Sequence, residues 1–437
     1  MPRPLPFLLL ASLLLAGCVQ LSSAVEQELD AAASAFSPLA FTDMRIIDGM
    51  RAGGEPVIAI TPTGTILVSA HPGWTHTRYP PSPNLVLPAS GQSYLWRSTD
   101  GGETWQHVGL PMAPMGIGPR GVGQGVSDPD FAIDSNGRIY LTDLEALAAA
   151  SVSWSDDDGA TWILGNNLAS TYGPIDRQWL ATHGTDVYLV GNYFLDQRVL
   201  RSTDGGLTWR QVGSANCGGD MVANKDGALL VGCQTGIDVS EDGGATFEQR
   251  DVPGAESWSR SMAEPAVDAA GNVYIPYTNS RGVFVAGSPD LGRTWWPPIQ
   301  LASNGTNVWP WVVAGDAGRV AVVWYHTDDP AGPSDAGGDW YVDGAIVTRA
   351  DTELPIVHGV RIAGPIFQGK MCQRGTICQA DTSENGDRRL GDFFEAAIDA
   401  EGALHVVYSV ALGDSIAHPG YSKQLDGPRL RVGSPSS

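Results

Sequence analysis

Five segments of this chain repeat one eight-residue pattern, and that repetition limits the fold more than any other feature. Ser98–Trp105, Ser155–Trp162, Ser202–Trp209, Ser240–Phe247 and Ser288–Trp295 all read Ser-x-Asp-x-Gly-x-Thr closed by an aromatic residue. The residue types describe a turn with a hydrophobic latch. The carboxylates of Asp100, Asp157, Asp204, Asp242 and Asp290 can accept backbone N–H bonds within the turn, and the glycine can take a positive φ. The closing Trp or Phe can then pack beneath the hairpin. Internal repetition of this kind signals an array of similar units.

A second repeat lies between the copies of the first. Pro56–Ser69, Asp130–Thr142, Gln178–Gly191, Asp220–Gly232, Pro265–Tyr277, Pro310–Trp324 and Phe394–Ser409 each run as apolar residues, a small turn with Gly, and a second apolar strand. Their turn glycines are Gly64, Gly137, Gly184, Gly227, Gly271, Gly318 and Gly402. Four copies of the eight-residue turn close 20 to 25 residues after such a glycine, and the first is delayed by a Pro-rich insertion from His71 to Gly91. Each unit therefore reads as four strands, a hairpin followed by two strands joined at the repeated turn. That predicts an all-β chain folded as a single β-propeller of four-stranded blades. Seven hairpins predict seven blades, with six as the alternative. The sixth and seventh units lack the repeated turn, and the sixth carries an acidic, Gly-rich insertion from Asp328 to Asp343 in its place. A segment near Phe41–Ile47 is expected to complete the last blade and close the ring, which removes open sheet edges. With 54 Gly, 30 Pro and only 17% charged residues, the composition suits many short strands and turns.

The eight-residue motif resembles the Asp-box, or BNR repeat, of sialidase-like β-propellers. That resemblance extends in architecture over nearly all of residues 41–437. It implies a sialidase-like fold, and it implies that the repeated turn is structural and lies away from the catalytic face.

The first 40 residues read as address and tether. Met1–Gly17 has the form of a signal peptide, with Arg3 ahead of an apolar run from Phe7 to Leu15 that is too short to span a bilayer as a helix. Leu15-Ala16-Gly17-Cys18 looks like a bacterial lipobox, which makes Cys18 the lipidated first residue of an exported chain anchored at the periplasmic or cell-surface face of a membrane. Residues 18–40 read as the lipidated Cys and a flexible tether. In that oxidising setting the other cysteines predict two local disulfides, Cys217 with Cys233 and Cys372 with Cys378. A net charge of −22 argues against nucleic acid and against an anionic membrane surface as partners, so the membrane is reached through the lipid alone.

In a propeller the residues just before each innermost strand crowd the mouth of the central channel. Here they are Glu55-Pro56, Asp128-Pro129-Asp130, Asp176-Arg177, Asp220, Glu264-Pro265, Trp309-Pro310-Trp311 and Asp392. Converging carboxylates raise one another's pKa or take up a cation, and Ca2+ is the cofactor that such acids suit. Trp309 and Trp311 would then offer a stacking platform. The structural alternative is that each carboxylate caps N–H groups of the neighbouring blade.

The sialidase resemblance also implies a site: an arginine triad for the substrate carboxylate, a Tyr activated by Glu, and an acidic acid/base. Glu264 stands where the family's Tyr-activating Glu would open a later hairpin, and Asp128 is the acidic candidate. The chain departs from the pattern elsewhere. The family's first arginine is absent from Gly53-Gly54-Glu55-Pro56. Tyr277-Thr278 stand where another is expected, with Arg281 nearby. Arg51, Arg177, Arg260, Arg388 and Arg389 lie in mouth loops but match no family position, and Tyr325 and Tyr408 are the tyrosine candidates. Arg388–Phe394 resembles the Gly-Asp-aromatic opening of the last blade in bacterial sialidase-like proteins. Two functions follow as expectations. The first is binding of glycans or envelope proteins at the mouth, through Glu55, Arg177, Arg260, Trp309, Trp311, Arg389 and Asp392. The second is an exo-glycosidase of sialidase type with a rearranged site built on Glu264, Arg281 and Asp128. Assembly of a membrane complex is a third role open to such propellers.

Overall fold

The computed structural model describes residues 37–71, 93–108, 127–145, 149–167, 175–193, 196–257, 264–373, 386–413 and 416–432. The signal peptide, Cys18, nearly all of the tether, Arg260, Cys378 and most of the Pro-rich insertion after His71 lie outside them.

Seven antiparallel sheets form the blades. Their innermost strands are Gly54–Ile60, Ser127–Ile133, Asp176–His183, Met221–Ala223, Ala266–Val267, Thr306–Ala314 and Ala396–Ile398, and these define blades 1 to 7. In blades 1 to 6 each strand pairs with the next in sequence. Blade 7 is completed by the start of the chain, where Ala40–Phe41 and Arg45–Ile46 both pair with His418–Asp426. The two ends of the propeller are thus sewn into one sheet, as the segment near Phe41 predicts.

All seven expected turn glycines have positive φ, from 59° at Gly184 to 96° at Gly271, which is why a side chain is absent there. The five repeated turns share one hydrogen-bond pattern. In each, Asp Oδ1 accepts the Thr backbone N–H at 2.7–2.9 Å and Oδ2 accepts the Thr hydroxyl at 2.5–2.8 Å. The Ser hydroxyl in turn accepts the N–H of the second-half Gly at 2.7–3.0 Å. These turns join third to fourth strands, so they sit at the end of the propeller opposite the starts of the inner strands. One expectation is corrected. The insertion at Asp328 does not replace the sixth repeated turn. It joins the second strand of blade 6, Val320–Thr327, to the third, Asp339–Thr348, and so belongs to the mouth.

The core is a set of apolar layers between blades. One joins blades 2 and 3 through Tyr140, Trp154, Leu180 and Leu189, and another joins blades 5 and 6 through Tyr274, Val285, Val322 and Trp324. Central strands are covered on both faces, so Val320–Thr327 and Leu404–Val410 are buried along their whole length and do not alternate. Cys217 and Cys233 form the expected disulfide, with Cα atoms 5.3 Å apart. Cys372 is also disulfide-bonded.

Candidate functional site

Four inner strands open on the same irregularity. Pairing with the second strand shifts register between Gly54 and Val57, Ser127 and Asp130, Asp176 and Trp179, and Val308 and Trp311. Within each bulge one non-glycine residue is left-handed: Glu55 at φ 49°, Asp128 at 51°, Arg177 at 52° and Trp309 at 51°. Such residues are uncommon, and strain of this kind gathers at functional sites. Pro56, Pro129 and Pro310 follow three of them, where a missing N–H costs the ladder nothing. The bulge splits the mouth residues into two layers, the left-handed residue at the rim and the residue two places later at the axis.

The rim is organised around Arg388, which is 5% exposed. Its guanidinium forms a two-pronged pair with Asp392 at 2.6 and 3.0 Å and lies 3.6 Å from Glu55 Oε1. Burial works against its charge, and Asp392 and Glu55 more than offset that. Glu55 is fully buried and also meets His71 Nε2 at 2.7 Å and accepts the Asp392 N–H at 2.8 Å. Gly391 permits this approach, since a Cβ there would sit 2.3 Å from Glu55 Cγ. Beside them burial lifts Asp176 above the ordinary carboxylate range, against the pull of Arg177 and a hydrogen bond with Asp128. Arg389 is held by Asp387, with Nη2 to Oδ2 at 2.8 Å. It lines a cavity of about 430 Å³ between blades 6 and 7, together with Phe367, Lys370, Asp387 and Leu412.

The axial layer is acidic. Asp130, Asp220, Glu264 and Glu395 each stand seven residues ahead of their hairpin glycine, at Gly137, Gly227, Gly271 and Gly402. Carboxylate oxygens of Asp130, Asp220 and Glu395 lie within 4.8 Å of one another. Burial pushes Asp130 up to about 7. It also drives Asp220, Glu264 and Glu395 well above the usual range, with their mutual repulsion adding to it. Two of the four cap a neighbouring blade: Asp130, as the sequence predicts, and Glu395, which lies outside that expectation. Asp130 Oδ2 accepts Leu180 N–H at 2.6 Å and Glu395 Oε2 accepts Ile58 N–H at 3.0 Å. Trp311 hydrogen-bonds Glu264.

The structure brings together Glu55, Asp128, Arg177 and Asp392 at the rim and places Glu264 at the axis. Arg281 is not drawn in. It is exposed at the outer hairpin of blade 5, its guanidinium 5.6 Å from the Phe284 ring centre. The stacking platform is a correction. Trp309 and Trp311 are each 4% exposed and pack against Tyr325 and Phe393, because at this depth the indoles fill the channel wall. One residue and one ion pair are missing from the sequence reading. Glu395 carries the same seven-residue offset as Asp130, a signal present in the sequence, while the nearby Asp392 belongs to the rim. Arg388 was visible in the mouth loop, but its neutralisation by Glu55 was not.

No protein-family model matches the chain. A sialidase of Bacteroides fragilis (strain YCH46) is 28% identical over a match spanning 46% of this chain and 36% of that protein. The match thus spans about a third of that relative's length. Among solved structures, a protein of unknown function from Dyadobacter fermentans DSM 18053 aligns over 90% of this chain and all of its own, at 16% identity and TM-score 0.49. The NanB sialidase from Streptococcus pneumoniae aligns over 88% of this chain and 71% of its own, at 12% identity and TM-score 0.44. AofleA from Arthrobotrys oligospora aligns over 75% and 91%, at 12% and 0.44. The described residues form a seven-bladed, all-β propeller, and part of the chain resembles a sialidase in sequence.

Proposed function

We propose that this chain is an envelope recognition propeller that binds a glycan or an envelope protein at the channel mouth, exported and held by a lipid on Cys18. The observation that carries this reading is the state of two mouth arginines, Arg388 and Arg389. Recognition of a substrate carboxylate needs guanidinium forks free to receive it. Arg388 is committed to Asp392 and Glu55, and Arg389 to Asp387. At either of these two a sialic acid carboxylate would have to displace buried acids. The tyrosines agree. Burial raises the pKa of Tyr325 and of Tyr408, and their hydroxyls meet Ser409 N–H and Ser422 Oγ rather than a Glu that would activate them. The cavity beside Arg389 is within the size range of small-ligand sites. The exo-glycosidase reading is favoured by one feature, the strongly raised pKa of Glu264, since perturbed acids gather at active sites.

The test is capture by the full chain in detergent on an array of envelope glycans and from envelope extracts, beside Leu412→Arg, which places a long cation over the cavity. Capture lost in the variant supports the reading. Capture unchanged in the variant, or absent from the wild type, contradicts it. Cys18→Ser should abolish incorporation of labelled fatty acid and release the protein from the membrane fraction, and retention of both would remove the anchor from the account.

A further inference from the structure

The axial carboxylates have no work to do at the rim, and their arrangement has a chemistry of its own. Asp130, Asp220 and Glu395 reach the channel axis from blades 2, 4 and 7, each 4–5% exposed. Every pair of them offers oxygens within 4.8 Å, about twice a Ca–O bond length of roughly 2.4 Å, so all three can lie on one calcium coordination sphere. Backbone amides satisfy only part of the set. Glu395 gives Oε2 to Ile58 N–H, while its Oε1 is sealed from solvent with no hydrogen-bond partner among the described residues. Glu264 Oε2 is sealed and unpartnered in the same way, and its carboxylate feels Asp220, Glu395 and Asp130 directly. Buried polar atoms are almost always satisfied, and two orphaned carboxylate oxygens beside one acidic cluster point to a missing positive partner. No Lys or Arg side chain is paired with Asp130, Asp220, Glu264 or Glu395 among the described residues, in contrast to Arg388 at the rim.

We infer that Asp130, Asp220 and Glu395, with Glu264 as a fourth donor, form a divalent-cation site on the propeller axis, and that Ca2+ is the ion it takes. The donors are all hard oxygens, which suits Ca2+ or Mg2+ and disfavours ions that seek nitrogen or sulfur. Ca2+ also accepts an irregular shell of carboxylate oxygens, whereas Mg2+ requires oxygens at about 2.1 Å in a tight octahedron. Three inner strands converge on this point, so the ion would tie blades 2, 4 and 7 together across the channel. The site is separate from the ligand at the rim and does not depend on the recognition reading.

The test uses the full chain in detergent, stripped with chelator and dialysed, with metal content read by elemental analysis and Ca2+ binding by calorimetry. Tb3+ serves as a second probe, its luminescence sensitised by Trp311 and Trp179. The expected result is one Ca2+ per chain, a higher melting temperature on adding Ca2+, and affinity reduced roughly tenfold or more in Glu395→Gln and Asp130→Asn. Glu395→Gln keeps an oxygen for the Ile58 N–H and so guards against a variant that fails to fold. Asp242→Asn, in a repeated turn at the far end, should leave Ca2+ binding unchanged. No Ca2+ uptake by the stripped wild type at millimolar concentration would overturn the inference, as would uptake that Glu395→Gln and Asp130→Asn leave intact.

Discussion

Glu55 is the hinge of the rim, and its removal tests whether the mouth arginine is held as the structure shows. The carboxylate is fully buried and serves Arg388, His71 and the Asp392 N–H together. Glu55→Ala deletes all three contacts and leaves a buried guanidinium with one counter-ion. Breaking a buried ion pair from one side costs about 3–5 kcal/mol, because the remaining charge is uncompensated. An unfolding entropy of roughly 2.1 cal/mol/K per residue over about 400 residues gives about 0.8 kcal/mol/K, so the melting temperature should fall by about 4–6 °C. Glu55→Gln keeps the shape and an acceptor and should lose about half as much. Circular dichroism melts at neutral pH would read both. The penalty should shrink when Arg388→Met is present, since contacting residues couple in a double-mutant cycle. A Glu55→Ala protein melting within about 1 °C of wild type, or a penalty unchanged by Arg388→Met, would refute the reasoning.

Three further outcomes follow from the same physics. Gly391→Ala would place a Cβ 2.3 Å from Glu55 Cγ at φ +77°, and should destabilise the chain by about 2 kcal/mol or more in the same melts. Burial raises the pKa of Asp399, but His405 Nε2 at 3.0 Å and the Ala403 N–H at 2.7 Å outweigh it and bring the group down to about 2. Its contribution is therefore complete above about pH 4 and is lost as pH falls toward 2. Asp399→Asn should remove up to about 2 kcal/mol of that acid-side dependence in denaturant titrations. Replacing Cys217 and Cys233 by Ser opens a loop with a separation of 16 residues and should cost about 3 kcal/mol, or about 4 °C, with no added effect of reductant at that pair.

The fold was legible because its signals are local. A turn that needs positive φ selects Gly, and seven such glycines counted the blades. Five carboxylates that each satisfy their own turn marked where third strands end. Closure through Phe41 followed from the need to cover an edge. The mouth was less legible because it depends on register and on contacts far apart in the chain. A bulge moves Glu55 to the rim and its counterpart two residues later to the axis, so adjacent acids such as Asp128 and Asp130 belong to different layers. Neutralisation of Arg388 by Glu55 joins opposite ends of the sequence, and no spacing rule announces it. Trp309 and Trp311 looked like a binding surface because their position was right, but burial depends on how seven blades fill the channel.

The most direct measurement is turnover of a fluorogenic sialoside by the full chain, beside Glu264→Gln and with and without Ca2+. The account predicts no turnover by either protein under any of these conditions, because Arg388 and Arg389 are already engaged by Asp392, Glu55 and Asp387. Turnover by the wild type that disappears in Glu264→Gln would contradict it, and would mean that a hydrolytic site operates at this mouth.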